Sequence, residues 1–181
     1  MSNLHPLLAG RFSPTAFDRR HVVTDADVEL LLDAARWAPS AGNSQPWAFV
    51  VARRGDTHHD RLVRHLAPSS ARWAPTAGLL VANLSHRLVA DTDWEYSEFA
   101  AYDLGQAVAH MTVQAQAMGL AVHQFRAFDR DGVADEFAVP AHWEVTTLSA
   151  VGRPAPGSGD PRPRERRSLT DLAWPVPDPV G

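Results

Sequence analysis

A chain that mixes helices with short strands is what the order of apolar patterns predicts. Four runs rich in aliphatic, aromatic or β-branched residues, at 47–52, 79–84, 120–125 and 144–151, read as strands. Between and before them lie segments with apolar residues at helical spacing. The length of 181 residues, with 45% hydrophobic and 21% charged residues, suits one domain with a substantial core.

Residues 11–20 place Arg11, Ser13 and Thr15 at alternate positions, so an extended backbone points all three one way. They suit one anion or, equally, a solvated N-terminal arm. The clearest helix opens at Thr24-Asp25-Ala26-Asp27, with Thr24 or Asp25 as N-cap and acids in the first turn. Val28, Leu31, Leu32 and Ala35 form its apolar face, and Pro39 ends it.

The helix delivers the stretch Ala38-Pro-Ser-Ala-Gly-Asn-Ser-Gln-Pro-Trp47. A proline near each end fixes φ, Gly42 permits a positive φ, and Ser40, Asn43, Ser44 and Gln45 offer polar side chains. On composition alone it is either a helix-to-strand connection or a lining for a polar cofactor. Trp47 to Ala52 then reads as a buried strand.

Thr57 to Ala67 reads as a short surface helix; His58, His59 and His65 lack the spacing of metal ligands, so no metal site is expected. Ser69 to Gly78 reads as a loop, Leu79 to Leu84 as a second strand, and Val89 to Ser97 as an acidic, aromatic solvated loop. Asp93 and Glu95 invite a paired-carboxylate reading, but closeness in sequence says nothing of facing geometry.

Glu98 to Met118 is the longest helical segment. Leu104, Val108, Met111, Ala115 and Met118 form one stripe, Gly119 is a natural C-terminal stop, and the alanines and Gly105 allow close approach on several faces. A third strand, Leu120 to Phe125, precedes a short helix that starts after Asp129 and faces Val133 and Phe137 inward; Glu144 to Val151 is the fourth strand. Half of the 14 prolines follow Gly152, in a segment that carries Arg153, Arg162, Arg164, Arg166 and Arg167. Such a segment builds no core of its own and is either a disordered tail or an arm lying on a surface.

A formal net charge of −4 argues against a nucleic-acid binder, and the absence of cysteine excludes disulfides, thiolate catalysis and cysteine-ligated metals. Residues 1–11 do not read as a secretory signal and no apolar run is long enough to span a bilayer, so a cytoplasmic location with no membrane partner is expected. Neither a GxGxxG nor a GxxxxGK[ST] sequence occurs.

Several stretches together resemble the FMN-dependent nitroreductase family in its short form. They are Arg11-Phe-Ser-Pro-Thr-Ala-Phe17, Ala34 to Trp47, Asp103-Leu-Gly-Gln-Ala107 with Ala117-Met-Gly-Leu120, His123-Gln-Phe-Arg-Ala-Phe-Asp129, and Gly152-Arg-Pro154 leading to the late arginines. The resemblance implies an α+β fold with helices packed around a small mixed, mostly antiparallel sheet. It also implies a homodimer with FMN at the interface. Residues 1–152 would form the FMN-binding domain, and 153–181 an arm completing that domain or its dimer.

In such proteins the segment matching Arg11, Phe12, Ser13 and Thr15 holds the FMN phosphate. A C-terminal arginine helps, here Arg166, with Arg164 and Arg167 as alternatives. The block Pro39, Ser40, Ala41, Gly42, Asn43 and Gln45 approaches the flavin from the partner, and backbone N–H groups of Gln124 to Ala127, including Arg126 and Ala127, face the ring. Catalysis then belongs to the cofactor, with no catalytic side chain: NADH or NADPH supplies a hydride, and a nitroaromatic, quinone or similar small electron-poor acceptor takes it in a ping-pong cycle. Alternatives are a specialised flavoenzyme of the same fold, such as a dehalogenase or azoline dehydrogenase, and a flavin-sequestering protein without turnover. Thr15 departs from the family, where a second arginine is common. A hydrogen bond to a charged group contributes about 1.5 to 3 kcal/mol, so FMN should bind one to two decades more weakly unless the late arginines compensate.

Overall fold

A computed structural model describes residues 3–158 and 164–176. Arg162, one of the late arginines, and residues 177–181 of the proline-rich end lie outside the described residues.

Four strands, β1 (Trp47–Arg53), β2 (Leu79–His86), β3 (Ala121–Phe125) and β4 (Trp143–Gly152), form one sheet in the order β1-β2-β4-β3. Every pairing in it is antiparallel. The two inner strands are β2 and β4, which explains why Leu79-Leu-Val-Ala runs without polar alternation: both of its faces are covered. The strand expected to be buried at 47–52 is instead an edge strand. Only Ala52 in β1 is fully buried, because one long side of β1 has no neighbouring strand.

Two helices cover one face of the sheet. In α2 (Asp25–Arg36), Thr24 is the N-cap and exchanges hydrogen bonds with Asp27, a capping box that fixes where the helix starts. In α5 (Ala100–Ala117), Ala107, Met111 and Ala115 meet Leu31 and Ala35 of α2 above Leu79, Val81, Val122 and Val151. Gly119 takes φ 72° just past the end of α5, where only glycine does so without strain. The opposite face carries α3 (Thr57–Arg64) and α6 (Arg130–Glu136). Leu62 and Val133 pack there on Leu80, Ala82, Leu84, Leu148 and Ala150. α3 is less superficial than its charges suggest, since His59 is buried along with Leu62.

Residues 69–78, expected to be loop, contain the end of a four-residue helix, α4 (Pro68–Ala71), and a 3₁₀ turn, Ala74–Thr76. Proline at the first turn of each supplies the φ a helix start needs, and such short pieces carry no periodicity to detect. Near the N-terminus, α1 (Pro6–Gly10) packs on α5. Phe17 bridges to Pro154, and the Asp18 N–H donates to the Arg153 carbonyl at 2.9 Å, so the first residues after β4 lie against segment 16–18. A last turn, α7 (Leu169–Leu172), is exposed throughout. No helix among the described residues is long and apolar enough to cross a membrane.

Candidate functional site

The first polar set gathers where α1 meets the end of α5. Arg11 Nη1 donates to Ser13 Oγ at 3.3 Å, so these two groups converge as alternate residues should; Thr15 is exposed and makes no side-chain hydrogen bond within the described residues. From the C-terminal arm, the Arg164 guanidinium donates to the carbonyls of Ala9 and Arg11. Arg164 and Arg166 line a hollow of about 380 Å³ with Leu4, Leu8 and Ala9. Arg167 turns away and donates to the Asp171 carbonyl. Arg164 is therefore the late arginine bonded to the Arg11 segment, with Arg166 beside it.

Below this set the chain is fixed by a histidine that sequence reasoning gave no role. His123 Nδ1 lies 2.9 Å from the Pro14 carbonyl, and its ring stacks on Trp73 with centroids 4.3 Å apart. Phe12 is half-buried. At the far end of β3, Arg126 is exposed with its guanidinium 5.0 Å from the centre of the Phe128 ring. The Ala127 carbonyl accepts from the Ala67 N–H at 3.1 Å and from Ser70 Oγ at 2.5 Å. The backbone N–H groups of Arg126 and Ala127 have no acceptor among the described residues.

The second polar set is the loop between α2 and β1. Residues Ala41–Asn43 form one 3₁₀ turn, with Gly42 at φ 57°, Asn43 at φ 57° and Gln45 at φ 47°. Two non-glycine residues in the left-handed region so close together mark a backbone held in place by its surroundings. Pro39, Ala41, Gly42, Asn43 and Gln45 are exposed, and Ser40 is half-buried with its Oγ accepting from the Gln45 N–H at 3.0 Å. Ala41 N–H donates to Asp103 Oδ2 at 3.0 Å, and Gln106 Nε2 approaches both Asp103 Oδ1, at 3.3 Å, and the Pro39 carbonyl, at 3.5 Å. Ser44 Oγ is buried without a partner in the described residues.

The acidic, aromatic segment also reaches this loop. Tyr96 Oη donates to the Ser44 carbonyl at 3.1 Å, and its ring stacks on His86, which stacks in turn on Trp143. Burial, and after it the neighbouring His142, lowers the His86 pKa below the ordinary histidine value, which favours a neutral ring.

Within one chain the two sets do not meet. Gln116 lies against Gly10 beside the first set, while Asp103 anchors the second. Both are on α5, and the helical rise puts them about 20 Å apart. The outer face of α5 exposes Ala101, Gly105 and Ala109, with Tyr102 and His110 alongside.

What these features define is an α+β protein with an arginine–hydroxyl set near α1 and a separate, exposed polar loop before β1. Known proteins agree with that class. The profile of the Nitroreductase family matches residues 8–78. A Streptomyces coelicolor protein provisionally named NADH dehydrogenase/NAD(P)H nitroreductase is 28% identical over 162 residues, covering 78% of this chain and 79% of its own. The 5,6-dimethylbenzimidazole synthase of Rhodospirillum rubrum is 30% identical over 158 residues, covering 75% of each chain. A crystal structure described as an oxidoreductase containing FMN superposes with a TM-score of 0.86 at 28% identity, over 96% of this chain and 93% of the other. The chain belongs to the nitroreductase family.

Proposed function

We propose that this protein is an FMN-dependent oxidoreductase that takes a hydride from NADH or NADPH and delivers it to nitroaromatic, quinone or similar electron-poor acceptors. The observation that carries the reading is the division of polar groups on one chain into two sets that adjoin α5 at Gln116 and at Asp103, about 20 Å apart along the helix. Family kinship and an FMN-containing structural neighbour support the choice of ligand.

The residues fit the cofactor. Arg11 with Ser13 offers a guanidinium and a hydroxyl to a phosphate, and Arg164 and Arg166 add positive charge from the arm. The N–H groups of Arg126 and Ala127, which have no acceptor among the described residues, suit the polar edge of the ring, as does the largely exposed loop of Pro39, Ser40, Ala41, Gly42, Asn43 and Gln45. We assign that loop to the flavin held by a second copy. Pairing along the small-residue face of α5 lets two backbones approach closely and brings the first set of one chain to the second set of the other.

When bound, FMN supplies the two-electron chemistry, receiving hydride from the nicotinamide and passing it to the acceptor. The protein's own part is to bind, orient and shield. Arg11 and Ser13 would hold the phosphate end, loop 39–45 would hold the ring end from the second copy, and the stack of Tyr96, His86 and Trp143 ties segment 91–99 to that loop, where it would form part of an acceptor lid. No side chain has to act as acid or base.

Anaerobic mixing of the FMN-loaded protein with NADH and with NADPH tests the reading. Bleaching of the flavin, reversed by a nitroaromatic, is the expected result; bound flavin that neither nucleotide reduces points instead to a flavin-holding protein. The relative named for dimethylbenzimidazole synthesis favours, as a second reading, a specialised flavoenzyme of the same fold. Bleaching with no reoxidation by nitroaromatics or quinones would select it.

A further inference from the structure

Asp103 is only 2% exposed, and no cation pairs with it among the described residues. A buried carboxylate is costly unless hydrogen bonds replace its lost water. Here the donors are the Ala41 N–H at 3.0 Å and Gln106 Nε2 at 3.3 Å. One of them belongs to the loop, and the other also leans on the Pro39 carbonyl. Other bonds that shape the loop are mostly internal, among them Asn43 N–H to the Ser40 carbonyl, Ser44 N–H to the Ala41 carbonyl and Gln45 N–H to Ser40 Oγ, all 3.0 Å, while the Trp47 N–H of β1 donates to the Gln45 carbonyl at 2.8 Å. Tyr96 holds it from outside, but from an exposed segment. Asp103 is thus the buried tie between this loop and a long helix. The loop needs such a tie, because Asn43 and Gln45 sit at positive φ and relax if released.

We propose that Asp103, oriented by Gln106, is a positioning residue that holds loop 39–45 in its left-handed turn, ready to receive the flavin. The proposal rests on the FMN reading above. The carboxylate touches no reacting atom in this assignment; it acts by occupying the Ala41 N–H and fixing where the loop leaves α2.

The test combines FMN titration by fluorescence quenching with amide exchange of the protein without flavin. In the unsubstituted protein, the Ala41 amide should exchange more slowly than exposed loop amides. Asp103→Ala should free that amide and weaken FMN binding about tenfold or more, the factor expected for losing one charge-assisted hydrogen bond. Asp103→Asn keeps an acceptor for Ala41, and the Gln106 amide can turn to accept from the new amide at the expense only of its long, 3.5 Å contact with the Pro39 carbonyl, so FMN affinity should stay within about threefold. Wild-type-like FMN affinity in Asp103→Ala would overturn the proposal, as would fast Ala41 exchange in the unsubstituted protein. If Asp103→Ala does not fold, Asp103→Asn still decides: a loss of tenfold or more with Ala41 still protected would assign the effect to charge and overturn the positioning role. Failure of the unsubstituted protein to bind FMN would refute the flavin reading and leave the Ala41 result standing separately.

Discussion

Replacing Asn43 separates what the loop proposed to face the flavin contributes through its backbone from what it contributes through its side chain. Asn43 has φ 57°, is exposed, and its side chain takes one local bond, from Gln45 Nε2 at 3.3 Å. Nothing in the core depends on it. Asn43→Gly removes the amide but keeps the left-handed turn at no steric cost. If the amide contacts the flavin, that loss is worth about 1 kcal/mol, or about fivefold in FMN affinity. Asn43→Ala removes the amide and, unlike Asn43→Gly, keeps a Cβ while losing the polar group that lets asparagine adopt the left-handed region, which disfavours the turn by roughly a further 1 kcal/mol. The two losses together predict about thirtyfold weaker binding. Equilibrium titration of FMN against both variants, with thermal unfolding as a control, should rank wild type above Gly and Gly above Ala. Wild-type affinity in both variants would place the loop away from the flavin. Equal affinity of Gly and Ala would show that the left-handed turn is not needed in the bound state.

Other substitutions probe the phosphate end, the sheet and the pH response. Arg11→Ala should weaken FMN by tenfold or more, for a charged hydrogen bond worth about 1.5 to 3 kcal/mol, while barely moving the melting temperature; unchanged affinity would remove Arg11 from the site. Gly152→Ala should destabilise the fold by about 1 to 3 kcal/mol in urea unfolding, because its Cβ would stand 3.0 Å from the Gly78 backbone nitrogen and 3.1 Å from Phe17. Burial holds the His59 imidazole below the ordinary histidine range, against the weaker pull of Asp60 and Asp56. The unfolded chain therefore takes up the proton first as pH falls. Stability from this site is full above about pH 6.5 and declines from there down to the folded pKa. Urea midpoints should drop between about pH 7.5 and about pH 5.5, and drop less in His59→Gln; identical pH slopes would exclude His59 as the cause.

Much of this architecture is legible in the sequence where one pattern has one reading. Thr24 with Asp27 marks the start of α2, the stripe from Leu104 to Ala115 marks the buried side of α5, and Gly119 marks its end. The loop's prolines, glycine and polar side chains announce a constrained turn. Partnership across the chain was hidden. The burial of β1 depends on which strands flank it, and short turns such as 74–76 are too brief to show a period. The anchoring role of Asp103 was missed although a signal exists: the acid falls three residues after Ala100 and four before Ala107, on the inward stripe, where an unpaired charge is not tolerated. The contacts of His123 with Pro14 and of Tyr96 with Ser44 join residues far apart in sequence, which no local pattern can announce.

Whether two copies of this chain hold a flavin between them is decided by size-exclusion chromatography with light scattering and flavin absorbance after FMN is added. The proposed arrangement requires one FMN per chain on a particle of twice the chain mass, with the flavin lost when dilution separates the copies. Stoichiometric FMN on a single chain, or no flavin absorbance on the protein, would contradict it.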